Sequence, residues 1–215
     1  MYSTPMRTSR RSSTPTRIDR RAFLALAGGA AVAAFLPPAP AFALTADQAT
    51  AHIQRAVDEV YAVINSGNQS AQIYQQFEAI LARYADMDVI ARTVLGPAAR
   101  QTSAAELASY TQALQGYIGR KYGRRFREFV GSRVTVTGAR PLKSFYAVTS
   151  VAQLQGRSPI DVEWHVSDRS GDVRFFNLII EGINMIASER AEIAAMLAQR
   201  RGSVAALTAD LRQAG

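Results

Sequence analysis

The sequence predicts an α+β fold, a curved antiparallel sheet of about four strands with helices packed on its apolar face, and three observations carry that prediction. Apolar residues recur at three- and four-residue spacing from Thr45 to about Val130. After Gly131 the period drops to two through several β-branched and aromatic runs, and from about Ala187 onward it becomes helical again. A change of period along one chain, with strands grouped rather than alternating with helices, is the signature of α+β layering.

Residues 1–43 read as a segment apart from the fold. Met1 to Thr16 are mostly Ser, Thr, Pro and Arg, a composition with too little apolar surface to bury. Arg20-Arg21-Ala22-Phe23-Leu24 then opens an Ala-rich apolar run ending at Leu36, followed by Pro37-Pro38-Ala39-Pro40 and Ala41-Phe42-Ala43. Its 15 residues fall short of the roughly 20 that a spanning helix needs, and the small-residue Ala-x-Ala site follows directly. We expect a twin-arginine-type signal peptide cleaved after Ala43, and therefore a periplasmic product.

The same division changes the charge argument. Six of the 25 basic residues and one of the 17 acidic ones lie in residues 1–43, so the net charge of +8 falls to +3 for residues 44–215. The basic character belongs largely to the leader, which removes the main support for a nucleic-acid partner. Residues 44–215 are enough for a single domain with a sizeable core. The absence of cysteine excludes disulfides, thiolate metal sites and cysteine nucleophiles.

Within that domain, Ala49, Ile53, Val57, Val60 and Ile64 form one face of a first helix that stops at Asn65-Ser66-Gly67-Asn68. Ile73, Phe77, Ile80, Leu81 and Tyr84 mark a second, and Met87 to Leu95 a short third halted by Gly96-Pro97. Ser103 with Glu106 is a capping-box start for a long fourth helix to about Val130, with Gly116 and Gly119 as candidate kinks.

Four strands follow, over Arg133 to Thr137, Phe145 to Leu154, Ile160 to Val166 and Val173 to Ile180. In the third, Ile160, Val162, Trp164 and Val166 alternate with Asp161, Glu163, His165 and Ser167, which predicts one apolar face and one wet face. Helices over Ala187 to Arg201 and Ser203 to Gln213, split by Gly202, complete the chain. Such a sheet closes into a half-open cone. Patterning alone leaves open whether side chains fill it or a hollow remains.

A family likeness bears on that choice. Met87-Asp88-Val89-Ile90-Ala91-Arg92-Thr93-Val94-Leu95-Gly96, with Tyr110, Tyr117 and Tyr122 down the next helix, resembles the first half of the MlaC (toluene-tolerance) family. Phe176 to Ile186, Arg190 and the tail from Gly202 to Leu211 resemble its closing motif, a strand entering a Glu-Gly turn and then a helix. The chain departs from that motif at Asn177, Asn184 and Glu189, where the family more often has Asp, Ser and an aromatic. A hopanoid-locus, HpnM-like branch is one home for such divergence. The resemblance implies a periplasmic phospholipid carrier, a monomer without a cofactor. It also implies two partners, an inner-membrane ABC transporter complex and an outer-membrane lipoprotein complex.

On that reading the cone is an apolar pocket. We expect Tyr146, Val148, Val162, Trp164, Phe175, Leu178 and Ile180 from the strands, and Ile90, Leu95, Tyr122 and Phe126 from the helices, to contact the lipid. The basic run Arg120, Lys121, Arg124, Arg125 and Arg127 is either a solvated helix face or a salt-sensitive docking surface. His52 and His165 have no second ligand at metal spacing, Asp58-Glu59 point apart, and no catalytic or phosphate-binding motif occurs. We therefore expect neither a metal nor an enzyme. Two alternatives stand beside the carrier. One is a small isomerase or hydrolase using Tyr146, Trp164 and Glu181, and the other is an adaptor with no ligand.

Overall fold

The computed structural model describes residues 44–68, 70–124 and 130–214. The expected leader, Phe126, Arg125, Arg127 and Phe129 lie outside the described residues. The described elements run α1 (Ala46–Ile64), α2 (Ser70–Tyr84), α3 (Met87–Leu95), a 3-10 turn (Gly96–Arg100), α4 (Ala104–Gly123), β1 (Arg133–Leu142), β2 (Phe145–Gln153), β3 (Ile160–Ser167), β4 (Arg174–Ile180), β5 (Ile183–Asn184), α5 (Met185–Gln199) and α6 (Val204–Gln213).

Helix starts follow the local chemistry. Thr45 and Gln48 form a full capping box on α1, and the side chains of Asp86, Ser103, Asn184 and Ser203 each accept the backbone N–H three residues on. Asn184 thus serves as the N-cap of α5. Helix ends are served from a distance. Arg174 donates to the carbonyls of Ala82 (2.8 Å) and Ala85 (3.3 Å) at the end of α2, and Arg120 to those of Leu211 (2.5 Å) and Ala214 (2.9 Å) at the end of α6.

The sheet is an open antiparallel meander in the order β1-β2-β3-β4-β5. It has five strands rather than the four expected, because a two-residue β5 is too short to give a period. β1 continues five residues beyond the expected Thr137, to Leu142. A bulge between Val136 and Gly138 reverses the side-chain alternation there, and this hides the second half of the strand from a period-two reading. A second bulge, at His165/Val166, adds Phe176 opposite no partner.

Pairing places Val134, Val136, Ala139, Tyr146, Val148, Ser150, Val162, Trp164, Val166, Phe175, Leu178 and Ile180 on one face. α1 lies across that face along β1 and β2, with Ile53 and Ala49 fully buried beneath it. The other helices close the remainder. α2 crosses α4 so closely that a Cβ at Gly119 would stand 3.3 Å from the Cβ of Glu78, and one at Gly123 2.7 Å from the Tyr74 ring. α4 runs unbroken, so Gly116 and Gly119 serve close helix approach instead of a kink. Val130 is an exposed turn residue, and residues 125–129, over which the fourth helix was expected to continue, lie outside the described residues.

Two other expectations change. His165 is not on a wet face: its side chain is 12% exposed, set between the rings of Phe145 (4.7 Å) and Phe176 (5.8 Å). Asn177 accepts the Ile186 N–H, its amide nitrogen stands 3.5 Å from His165 Nδ1, and His165 Nε2 lies 2.9 Å from the Glu163 carboxylate. Glu59 is not merely solvated either, since it accepts from Arg83 (2.6 Å) and Tyr84 (2.8 Å) and joins α1 to α2.

His52 is one of the buried titratable groups of this core. Burial pushes its pKa down, opposed in part by its hydrogen bond from Nε2 to the Tyr84 carbonyl at 3.0 Å. A depressed histidine adds stability above its unfolded pKa of about 6.5 and loses it as pH falls toward the folded value. The stability gap between wild type and His52→Gln should therefore be widest above about pH 6.5 and narrow below it, as read from urea midpoints. A gap constant from pH 7.5 to 5 would contradict a neutral buried His52.

Candidate functional site

The apolar side chains on the inner face differ in how fully they are covered. Val148 and Val166 are fully buried and Phe175 is 5% exposed, so the middle of the face is core. Toward the β3–β4 side, Val162, Trp164, Leu178 and Ile180 are only half-buried, and pairing sets Val162 beside Ile180 and Trp164 beside Leu178. Trp164 is fixed in place. Its indole N–H donates to Ser150 Oγ at 2.9 Å, and its ring meets Phe175 edge-on at 5.3 Å.

The residues named from sequence therefore divide. Ile90, Leu95, Val148 and Phe175 sit in the packed core, whereas Tyr122, Tyr146, Val162, Trp164, Leu178 and Ile180 are half-buried. Phe126 is outside the described residues. Two hollows stand out among the described residues, and none of the candidates lines either. One, of about 40 Å³, lies where α1, α2 and α4 converge, between Ile64, Ile73, Tyr74 and Gly123. It has room for about one water molecule. The other is an open polar groove of about 360 Å³ between Asp86, Asp88, Asp172 and Arg174.

The strongest polar constellation was missed by sequence reasoning. Lys121 on α4 reaches Glu189 on α5 at 2.8 and 3.1 Å and Glu192 at 2.6 Å. Tyr122 donates to Glu189 at 2.5 Å and Tyr117 to Glu192. The Lys121 ammonium also lies 5.4 and 5.6 Å from the rings of Tyr117 and Tyr122. The backbone of α5 packs on α3 and β4, and that of α4 on α2 and α6, so side chains bridge the gap between α4 and α5. No local signal foretells it, since Lys121 and Glu189 are 68 residues apart in sequence.

Exposure grades this cluster. Glu189 is 7% exposed at its base, Lys121 28% and Glu192 44% toward solvent. Burial pushes Tyr122 up, and the hydrogen bond to Glu189 adds to it. Tyr117 is raised to about 12 by burial and its bond to Glu192. For Lys121, burial acts downward, but the hydrogen bonds to Glu189 and Glu192 outweigh it and hold the ammonium charged. Glu192 is held below the usual carboxylate range by hydrogen bonds from Lys121 and Tyr117.

The basic run is thereby redefined: Arg120 caps α6 and Lys121 is paired with Glu189 and Glu192, so neither is a free cation of a solvated face. Glu181, the acid named for an enzymatic alternative, is committed elsewhere. With Gly182 it forms the β4–β5 turn at φ +50 and +76, and its carboxylate accepts the Asp161 N–H at 2.6 Å. The two segments carrying the family likeness meet in space. α3 packs on α5, and the Arg190 guanidinium covers Gly96, where a Cβ would come within 3.3 Å of it.

Comparison with known proteins agrees with this arrangement. Residues 54–213 match the family model described as MlaC protein. Among solved structures, the fold is similar to a phospholipid-binding protein from Ralstonia solanacearum determined in complex with a phospholipid. The TM-score is 0.66 at 18% identity, over 77% of this chain and 95% of that one.

Removing Lys121 alone should leave a carboxylate buried without its cation. Lys121→Met should cost about 3 kcal/mol, the low end for a broken buried pair because Lys121 is partly wet. The double variant Lys121→Met/Glu189→Met should recover most of that loss in urea denaturation. Equal loss in both would mean that packing, not charge, is at stake.

Proposed function

The chain belongs to the MlaC family, and on that footing we propose that it is a periplasmic lipid carrier whose sheet, not a catalytic centre, is its working surface. The observation that carries the reading is the half-buried apolar strip Val162, Trp164, Leu178 and Ile180, adjacent on the inner face and continuous with the core. Acyl chains lie against this strip once the helices move off it, with Tyr122 and Tyr146 at its margins and Val148, Phe175, Ile90 and Leu95 behind it. The phospholipid held by the Ralstonia protein of the same fold supports the same ligand class here.

Energetics favour transfer over storage. About 30 methylenes at about 0.8 kcal/mol each would gain near 24 kcal/mol from water, beyond the ceiling of about 18 to 21 kcal/mol for noncovalent affinity. A bilayer is as apolar as the pocket, so exchange between them lies near balance and runs with small differences at each end. Those ends, in our reading, are the inner-membrane ABC transporter complex and the outer-membrane lipoprotein complex of the family. Export through a twin-arginine signal cleaved after Ala43 places the carrier between them.

Native mass spectrometry of protein purified without detergent tests the reading. The carrier should arrive with lipid, and Trp164→Ala should arrive with less than half the load while keeping its fold by circular dichroism. An empty wild type would end the carrier reading, and a fully loaded Trp164→Ala would remove that residue from the site.

A further inference from the structure

The cluster between α4 and α5 has the composition of an ammonium cage. Two carboxylates, Glu189 and Glu192, and two tyrosine rings, Tyr117 and Tyr122, surround one cation, the side-chain ammonium of Lys121. Carboxylates with aromatic faces are the groups that recognise ammonium ligands. The occupant is the chain's own, and it is held on a flexible stem that is 28% exposed. A second feature points inward from the same helix. Tyr110, two turns before Tyr117 on α4, is fully buried, lies within reach of the Glu189 charge and has a hydroxyl with no protein partner.

Resting on the lipid-carrier reading, we propose that this cage recognises the headgroup of an ammonium-bearing zwitterionic phospholipid, such as one with phosphoethanolamine, by exchanging partners with Lys121. The headgroup ammonium takes the place of Nζ between Glu189 and Glu192. Lys121 swings outward and pairs with the headgroup phosphate. Every charge keeps an opposite neighbour through the exchange, so the buried carboxylate is never left bare. Tyr122, which donates to Glu189, also packs against the apolar core, so headgroup and tails bind to neighbouring parts of one site.

The exchange predicts discrimination against anionic lipids. A phosphoglycerol headgroup could draw Lys121 to its phosphate but brings no cation to replace it. Glu189, 7% exposed, would then be stranded without a counter-charge, the costly arrangement for a buried ion. Glu189 thus acts as a specificity residue, at a position where the family more often has an aromatic.

The test loads the mature chain from vesicles of equal phosphatidylethanolamine and phosphatidylglycerol with matched acyl chains, then weighs bound lipid by native mass spectrometry. Wild type should favour the ethanolamine lipid by about tenfold, and Glu189→Gln/Glu192→Gln should fall to near parity. Glu192→Gln alone, which keeps the buried Lys121–Glu189 pair, serves if the double variant does not fold, and should lose about threefold of the preference. Equal ratios in wild type and variants, with lipid bound, would overturn the cage and leave the carrier reading standing. No lipid in any protein would overturn both. Soluble glycerophosphoethanolamine, titrated by NMR, separates the sources. Weak binding supports a lipid-borne headgroup, whereas saturation as tight as that of vesicle lipid would assign the cage to free amines and overturn the proposal.

Discussion

An open sheet with one apolar face has to be covered, and the way this chain covers it governs everything else. α1 takes the middle of the face, where Val148 and Val166 are buried completely, but it does not reach the β3–β4 side to the same extent. There Trp164 and its neighbours stay half-buried, and the fold bears an apolar surface that a smaller or flatter sheet would not have. Closing it with more helix would produce a solid core. Leaving it part-covered produces a surface suited to a guest of the same polarity.

The helices that do the covering are held in two different ways. Between α2 and α4 the contact is close, made possible by glycines at positions 119 and 123 that bring Glu78 and Tyr74 against bare backbone. Between α4 and α5 the backbones stand apart and polar side chains span the distance. Contacts of the first kind lose many small attractions with any displacement, whereas an ion pair can exchange one partner for another with little movement of the chain. Movement of the helices is thus easier along the α4–α5 gap than along the α2–α4 contact.

Much of this was legible in the sequence. The helical faces of α1 and α2, the capping residue Ser103 and the apolar side of β3 all depend on neighbours within a few positions, and these read true. β1 beyond Thr137 was lost because a bulge breaks the alternation that identifies a strand. Lys121 looked like one member of a basic stripe, because nothing near it in the chain reveals that two carboxylates from α5 will meet it. His165 looked solvated for a like reason: Phe176, whose ring meets it, is the residue left unpaired by the bulge between β3 and β4. The apolar strip was named correctly by type and face, but its division into covered and uncovered parts is a property of how far α1 extends. That length is not written in the strands.

Arg120 has a practical bearing on anyone handling the molecule. By gripping the carbonyls of Leu211 and Ala214 it fastens the last turn of α6 to the flank of α4, so the C-terminal end is a structural joint and a poor place for an affinity tag or fluorophore. The β2–β3 loop offers a better handle at the exposed Ser158, clear of Gly156, whose φ of +69 suits only glycine, and a label there would leave that joint intact.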